Sequence, residues 1–80
     1  MFYVYILKSL KDNGIYIGKT NDLERRLSEH NGWQVSSTKS RKPFLILKYL
    51  ECKTEKEALS LEKELKKGYK REEIKKEFNL

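Results

Sequence analysis

The sequence predicts an α+β fold, a three-stranded, mainly antiparallel sheet flanked by helices in the order ββαβαα. Three observations lead there. Two β-rich segments near the start are separated by a turn, one apolar run occupies the middle, and two later segments open with capping signals and show helical apolar spacing. Eighty residues make one domain, 1–80, with a small core in which any buried polar group is costly.

Residues 2–8 alternate and favour strand, residues 14–19 do the same, and the segment between them reads as a hairpin loop. A four-residue loop at 9–12 sets Lys8 opposite Asn13, Tyr5 opposite Tyr16 and Tyr3 opposite Gly18. Both phenols then leave one face of the sheet, while Phe2, Val4, Ile6, Ile15 and Ile17 line the other. Gly18 permits a close approach to the backbone beside the phenols. Asn21, with Glu24 three residues on, predicts the start of a helix that ends at Asn31-Gly32. Residues 33–42 are expected to be a polar loop around Trp33, and Pro43 to open a third strand from Phe44 to Leu50. That strand is apolar almost throughout, which predicts a buried position. Thr54 and Glu57 form a second capping box for a helix reaching about Lys67, where Gly68 breaks it. A last helix over about 70–78 places Ile74 and Phe78 one turn apart.

Composition narrows the function. The lone Cys52 excludes an intramolecular disulfide, and with His30 the only imidazole a structural zinc site is not expected. The apolar N-terminal run is too short for a signal peptide, and no segment approaches membrane-spanning length, so a cytoplasmic protein without membrane contact is expected. A net charge of +6 favours a polyanionic partner. The basic residues gather in two places. Lys39, Arg41 and Lys42 share a loop without acids, while Lys66, Lys67, Lys70, Arg71, Lys75 and Lys76 interleave with Glu72, Glu73 and Glu77 near the end.

The informative residues are polar ones in apolar places. In the first helix, Leu23 and Leu27 set the inward direction; His30 falls beside them and Arg26 about 60° to one side. In the second, Ala58, Leu59, Leu61 and Leu65 define the apolar arc, and Glu62 falls inside it. An inward carboxylate is expensive unless paired or bound to a cation. Two phenols, a guanidinium, an imidazole and a carboxylate form nearly the smallest set for metal-assisted phosphodiester hydrolysis.

These residues resemble the GIY-YIG nuclease family, especially its short single-domain bacterial members. Tyr3-Val4-Tyr5 stands at the first motif, with Tyr3 in place of the glycine, and Tyr16-Ile17-Gly18 at the second. Leu23 to His30 is similar to the family's arginine helix, and Glu57 to Glu62 to its glutamate helix. The resemblance spans nearly the whole chain and implies a nuclease that cuts DNA with a divalent metal, Mg²⁺ or Mn²⁺, in DNA repair or recombination. It implies Tyr5, Tyr16, Arg26, His30 and Lys19 as catalytic residues and Glu62 as the metal ligand.

One carboxylate suits Mg²⁺, which keeps several waters and takes substrate oxygens as ligands. Arg26 forks onto phosphate oxygens, and Lys19 adds a point charge. For the base, the resemblance implies Tyr5 with His30 relaying the proton; His30 acting directly is the simpler alternative. Lys39, Arg41, Lys42, Lys67, Lys70 and Arg71 are the expected phosphate contacts, nearly blind to sequence. The expected partner is DNA, with RNA not excluded, gripped weakly by the chain alone or with a recruiting protein. Two other readings stand beside this one: a non-catalytic nucleic-acid-binding module on the same fold, and a scaffold in which Arg26 and Glu62 form a structural ion pair.

Overall fold

A computed structural model describes residues 1–32 and 42–80. The elements are β1 (Phe2–Ser9), β2 (Ile15–Thr20), α1 (Leu23–Asn31), β3 (Phe44–Cys52), α2 (Glu55–Leu65) and α3 (Gly68–Glu77). The three strands form one antiparallel sheet in the order β2-β1-β3. The expected ββαβαα order and α+β architecture are present. No described helix is long and apolar enough to cross a membrane.

The central strand is β1, not β3. Val4, Tyr5, Ile6 and Leu7 are all buried, because helices cover both faces of the strand. Val4 and Ile6 pack with Ile15 and Ile17 under Ala58 of α2 and Ile74 of α3. Tyr5 and Leu7 pack with Phe44 beneath Leu23 and Leu27 of α1. The apolar run of β3 lies at the sheet edge instead, and Leu45 and Tyr49 are exposed there. Apolar content alone does not report how many strands flank a strand; β1 hid its central position behind tyrosines that read as half-polar.

The β1–β2 register differs from the expected one by two residues: Tyr5 faces Gly18, Leu7 faces Tyr16 and Tyr3 faces Thr20. The loop closes one residue later at each end, with Ser9 N–H donating to the Gly14 carbonyl at 2.9 Å. Ser9 Oγ accepts from the amides of Lys11 and Asp12, and Asp12 Oδ1 accepts from the Gly14 amide. Asn13 takes a positive φ of 60°, which its side chain tolerates better than most. A slip of two leaves every residue on its expected face, so both phenols still point together.

Helix caps follow the sequence with one shift. Asp22, not Asn21, caps α1, its carboxylate accepting from the Arg25 amide at 3.1 Å. Thr54 caps α2 as expected, accepting from the Glu57 amide, and Glu57 returns a bond to Lys53 N–H. Gly68 breaks the helix as expected, and α3 starts at that residue.

At the far end of α1, Asn31 ties the helix to β3. Its Oδ1 accepts from the Phe44 amide at 2.6 Å and its Nδ2 donates to the Phe44 carbonyl at 3.1 Å. The amide side chain thus replaces a strand partner at the start of an edge strand. Replacing Asn31 with Ala removes both bonds and is expected to lower unfolding free energy by about 2 kcal/mol. Denaturant titration measures that loss, and amide exchange should quicken at Phe44 before the rest of β3.

Candidate active site

The face of the sheet beneath α1 collects the polar misfits. Tyr5, in the middle of β1, lays its ring across Gly18 of β2. A Cβ at Gly18 would lie 2.5 Å from the Tyr5 hydroxyl and 2.7 Å from the ring carbon bearing it, so glycine is what leaves room for the phenol. The hydroxyl then meets α1. It lies 2.9 Å from His30 Nε2, and Arg26 Nε donates to it at 3.4 Å, a long bond. The guanidinium can only donate, so the phenol oxygen accepts from Arg26; toward His30 Nε2 it donates or accepts according to the imidazole tautomer.

The imidazole is fully buried and surrounded by rings. Tyr16 meets it edge-on with centroids 4.8 Å apart, and Phe44 lies at 5.9 Å. Burial, with the Arg26 charge adding to it and Glu29 opposing it, lowers the His30 pKa from 6.5 to about 4. Burial also raises Tyr5, although the Arg26 hydrogen bond works against the rise. At neutral pH the pair is therefore phenol and neutral imidazole.

Arg26 pairs with Glu29 Oε1 at 3.0 Å, one turn away on the same helix. A structural Arg26–Glu62 bond, one of the readings of the sequence, is not present: Glu62 pairs with Lys66 at 3.4 Å. Glu62 rises from α2, whose apolar side packs against the opposite face of the sheet. Its side chain is 15% exposed, and its charge is among the influences raising Tyr5. The cluster in direct contact is thus Tyr5, Tyr16, Arg26 and His30, and Glu62 acts on it only through space.

Lys19 opens toward a cleft of about 260 Å³ shared with Arg25 and Arg26. Of the other expected phosphate contacts, Lys67 and Lys70 pair with Glu64 and Glu73, and Arg71 donates to the Ile15 carbonyl at 3.3 Å, bracing α3 against β2. Lys42 is half-buried, while Lys39 and Arg41 lie outside the described residues. Glu29 was not foreseen from sequence. Its three-residue spacing from Arg26 was the available signal, and it resembles any surface helical pair.

For a metal, the donor set is thin but chemically apt. No group of three His, Cys, Asp or Glu side chains converges among the described residues. The half-buried carboxylate of Glu62 is a hard oxygen donor of the kind that binds Mg²⁺ when water and phosphate supply the remaining ligands.

Comparison with known proteins agrees with this geometry. The family model of the GIY-YIG catalytic domain matches residues 1–77. A UPF0213 protein of Cupriavidus necator is 42% identical over 67 residues, covering 82% of this chain and 72% of that one. The UvrABC system protein C of Mycoplasmopsis agalactiae is 40% identical over 63 residues, which span 75% of this chain but 11% of that protein. The solution NMR structure of a UPF0213 protein from Bacillus halodurans superposes with a TM-score of 0.56 at 35% identity, over 92% of this chain and 82% of that one.

Two outcomes follow from the buried pair. The unfolded chain takes up a proton on His30 near pH 6.5 and the folded chain only near 4, so folding loses stability as pH falls through that window. The loss should total about 3 kcal/mol and be absent above pH 7. Urea unfolding of the wild type and His30→Gln across pH 4 to 7.5 reads it, the variant having the flatter dependence. Gly18→Ala should displace the phenol, cost about 1–3 kcal/mol, and let the His30 titration followed by NMR rise toward its ordinary value.

Proposed function

Because the chain belongs to the GIY-YIG catalytic-domain family, we propose that it is an endonuclease that hydrolyses DNA phosphodiester bonds with a divalent cation, Mg²⁺ or Mn²⁺. The observation that carries this reading is the hydrogen-bonded chain linking Arg26, Tyr5 and a neutral, buried His30. Such an arrangement holds a proton acceptor ready behind a hydroxyl, which general base chemistry requires. The 40% identity with a segment of UvrABC system protein C supports it further.

His30 has no exposed surface and Tyr5 only 2%, so the imidazole reaches substrate through the small part of the phenol that remains open. Tyr5 is therefore assigned the proton of the attacking water, passing its own hydrogen to His30 Nε2 in the same step. Full transfer within the resting pair is uphill, since burial raises the phenol and lowers the imidazole. The transfer becomes favourable only as the water loses its proton to phosphorus attack. Arg26 is a third exposed and bonded to the same hydroxyl, which sets it to bind a non-bridging phosphate oxygen beside the attack. Lys19 shares its cleft and adds charge on the strand leaving it. Tyr16 packs on the imidazole and keeps water from it. Glu62 would hold the cation, whose charge would offset that of the pentacoordinate phosphate and the leaving oxygen.

Incubation with supercoiled plasmid, with and without Mg²⁺ or Mn²⁺, tests the reading. The wild type should nick only with metal. Glu62→Gln should lose at least a hundredfold in cleavage while still binding DNA in EDTA. Tyr5→Phe should be as inactive as His30→Ala if the phenol is the group that meets water; near-wild-type cleavage by Tyr5→Phe hands that role to another residue. Binding without nicking by the wild type identifies a non-catalytic nucleic-acid module instead.

A further inference from the structure

The cleft beside Arg26 contains a second guanidinium that the reaction as described does not use. Arg25 lines it with Lys19, Thr20 and Asn21. On α1 it is held from both directions: Nη2 donates to Asn21 Oδ1 at 3.2 Å, four residues earlier, and Nε lies 3.9 Å from Glu29 Oε2, four residues later. The same Glu29 holds Arg26 with its other oxygen. One carboxylate therefore aligns two neighbouring guanidinium groups over one cleft. Arg25 remains 59% exposed, so water still reaches it and a phosphate can too. Lys19 has no ion-pair partner among the described residues, and Arg25 Nη1 makes no hydrogen bond there.

The tail behaves differently. Lys66, Lys67 and Lys70 each have a glutamate within 4 Å, and Arg71 is spent on a backbone carbonyl. At the tail each of these lysines has a glutamate of its own, whereas in the cleft Arg25 and Arg26 share the one carboxylate of Glu29, and three cations face Glu55 on the other wall. At about 260 Å³ the cleft has room for one sugar–phosphate unit.

We propose that Arg25, with Lys19, grips the phosphate next to the one that is cut, so that a nucleic-acid strand enters the site along the N-terminal half of α1. This assignment rests on the nuclease reading and adds a substrate-binding subsite to it. Glu29 is the positioning residue for both arginines. Glu55 repels a phosphate from the α2 wall and keeps the strand against α1.

The test measures binding of a fluorescent oligonucleotide in EDTA, single-stranded and duplex, across a salt series, together with plasmid cleavage in Mg²⁺. Arg25→Gln, a change at an exposed position, should weaken binding by about tenfold and reduce the salt slope by about 0.7 for a single strand or 0.9 for duplex. Its cleavage defect should fall on KM more than on kcat. Lys67→Gln should leave the slope unchanged. If Arg25→Gln keeps the wild-type slope and affinity while the wild type cleaves, the subsite is wrong and the nuclease reading stands. If the wild type neither binds nor cleaves, the nuclease reading fails and the subsite with it.

Discussion

The hydrogen bond between the Tyr5 hydroxyl and His30 is the constraint around which the structure is arranged. A phenol in the middle of a strand covered on both faces must find an acceptor, or it loses the free energy of its bonds to water. A carboxylate there would bring a charge into the core; a neutral imidazole does not. The bond requires glycine at position 18, because the ring needs the space a Cβ would take. It also requires α1 to deliver His30 at a fixed height, which the Asn31 bonds to Phe44 secure from the next residue. Sheet register, helix placement and the packing of Phe44 and Tyr16 on the imidazole are linked through this one contact.

Much of this was legible in the chain, and the reasons differ by element. Helical periodicity marked His30, Arg26 and Glu62 as polar groups inside apolar arcs, and all three have little or partial exposure. Two-residue alternation put Tyr5 and Tyr16 on one face, a conclusion that survived an error of two in the register because parity was preserved. The error came from the turn, where Ser9 and Asp12 side chains bond to backbone amides in ways composition does not announce. The place of β3 was not legible, because burial depends on which strands flank it and the sequence of a strand does not name its neighbours. Nor was the partner of Arg26. Three acidic residues lie within four positions of it on either side, and choosing Glu29 needs the rotamers of the folded helix.

Net charge was a weaker guide than charge placement. A surplus of six positive charges says that anions are attracted, without saying where. In the C-terminal helices the cations alternate with glutamates one turn away, and the field of each largely cancels at a distance comparable to the screening length in salt. The turn from β2 into α1 is where cations outnumber acids within one concavity. A low-dielectric wall behind them lets their fields add rather than spread into water.

The separation of Glu62 from Arg26 has a physical logic. Were the two paired, the guanidinium would already be neutralised by a half-buried carboxylate, and a phosphate would have to break a strong bond to reach it. Glu29 is a gentler partner. It is itself about a third exposed, so the pair is partly screened and open to exchange with an incoming anion. Glu62 takes Lys66, one turn along α2, as its partner instead, while its charge is still felt at the Tyr5 hydroxyl. Opposite charges that would quench one another in direct contact are thus held by separate partners, Glu29 and Lys66, each of which a substrate or a cation can replace.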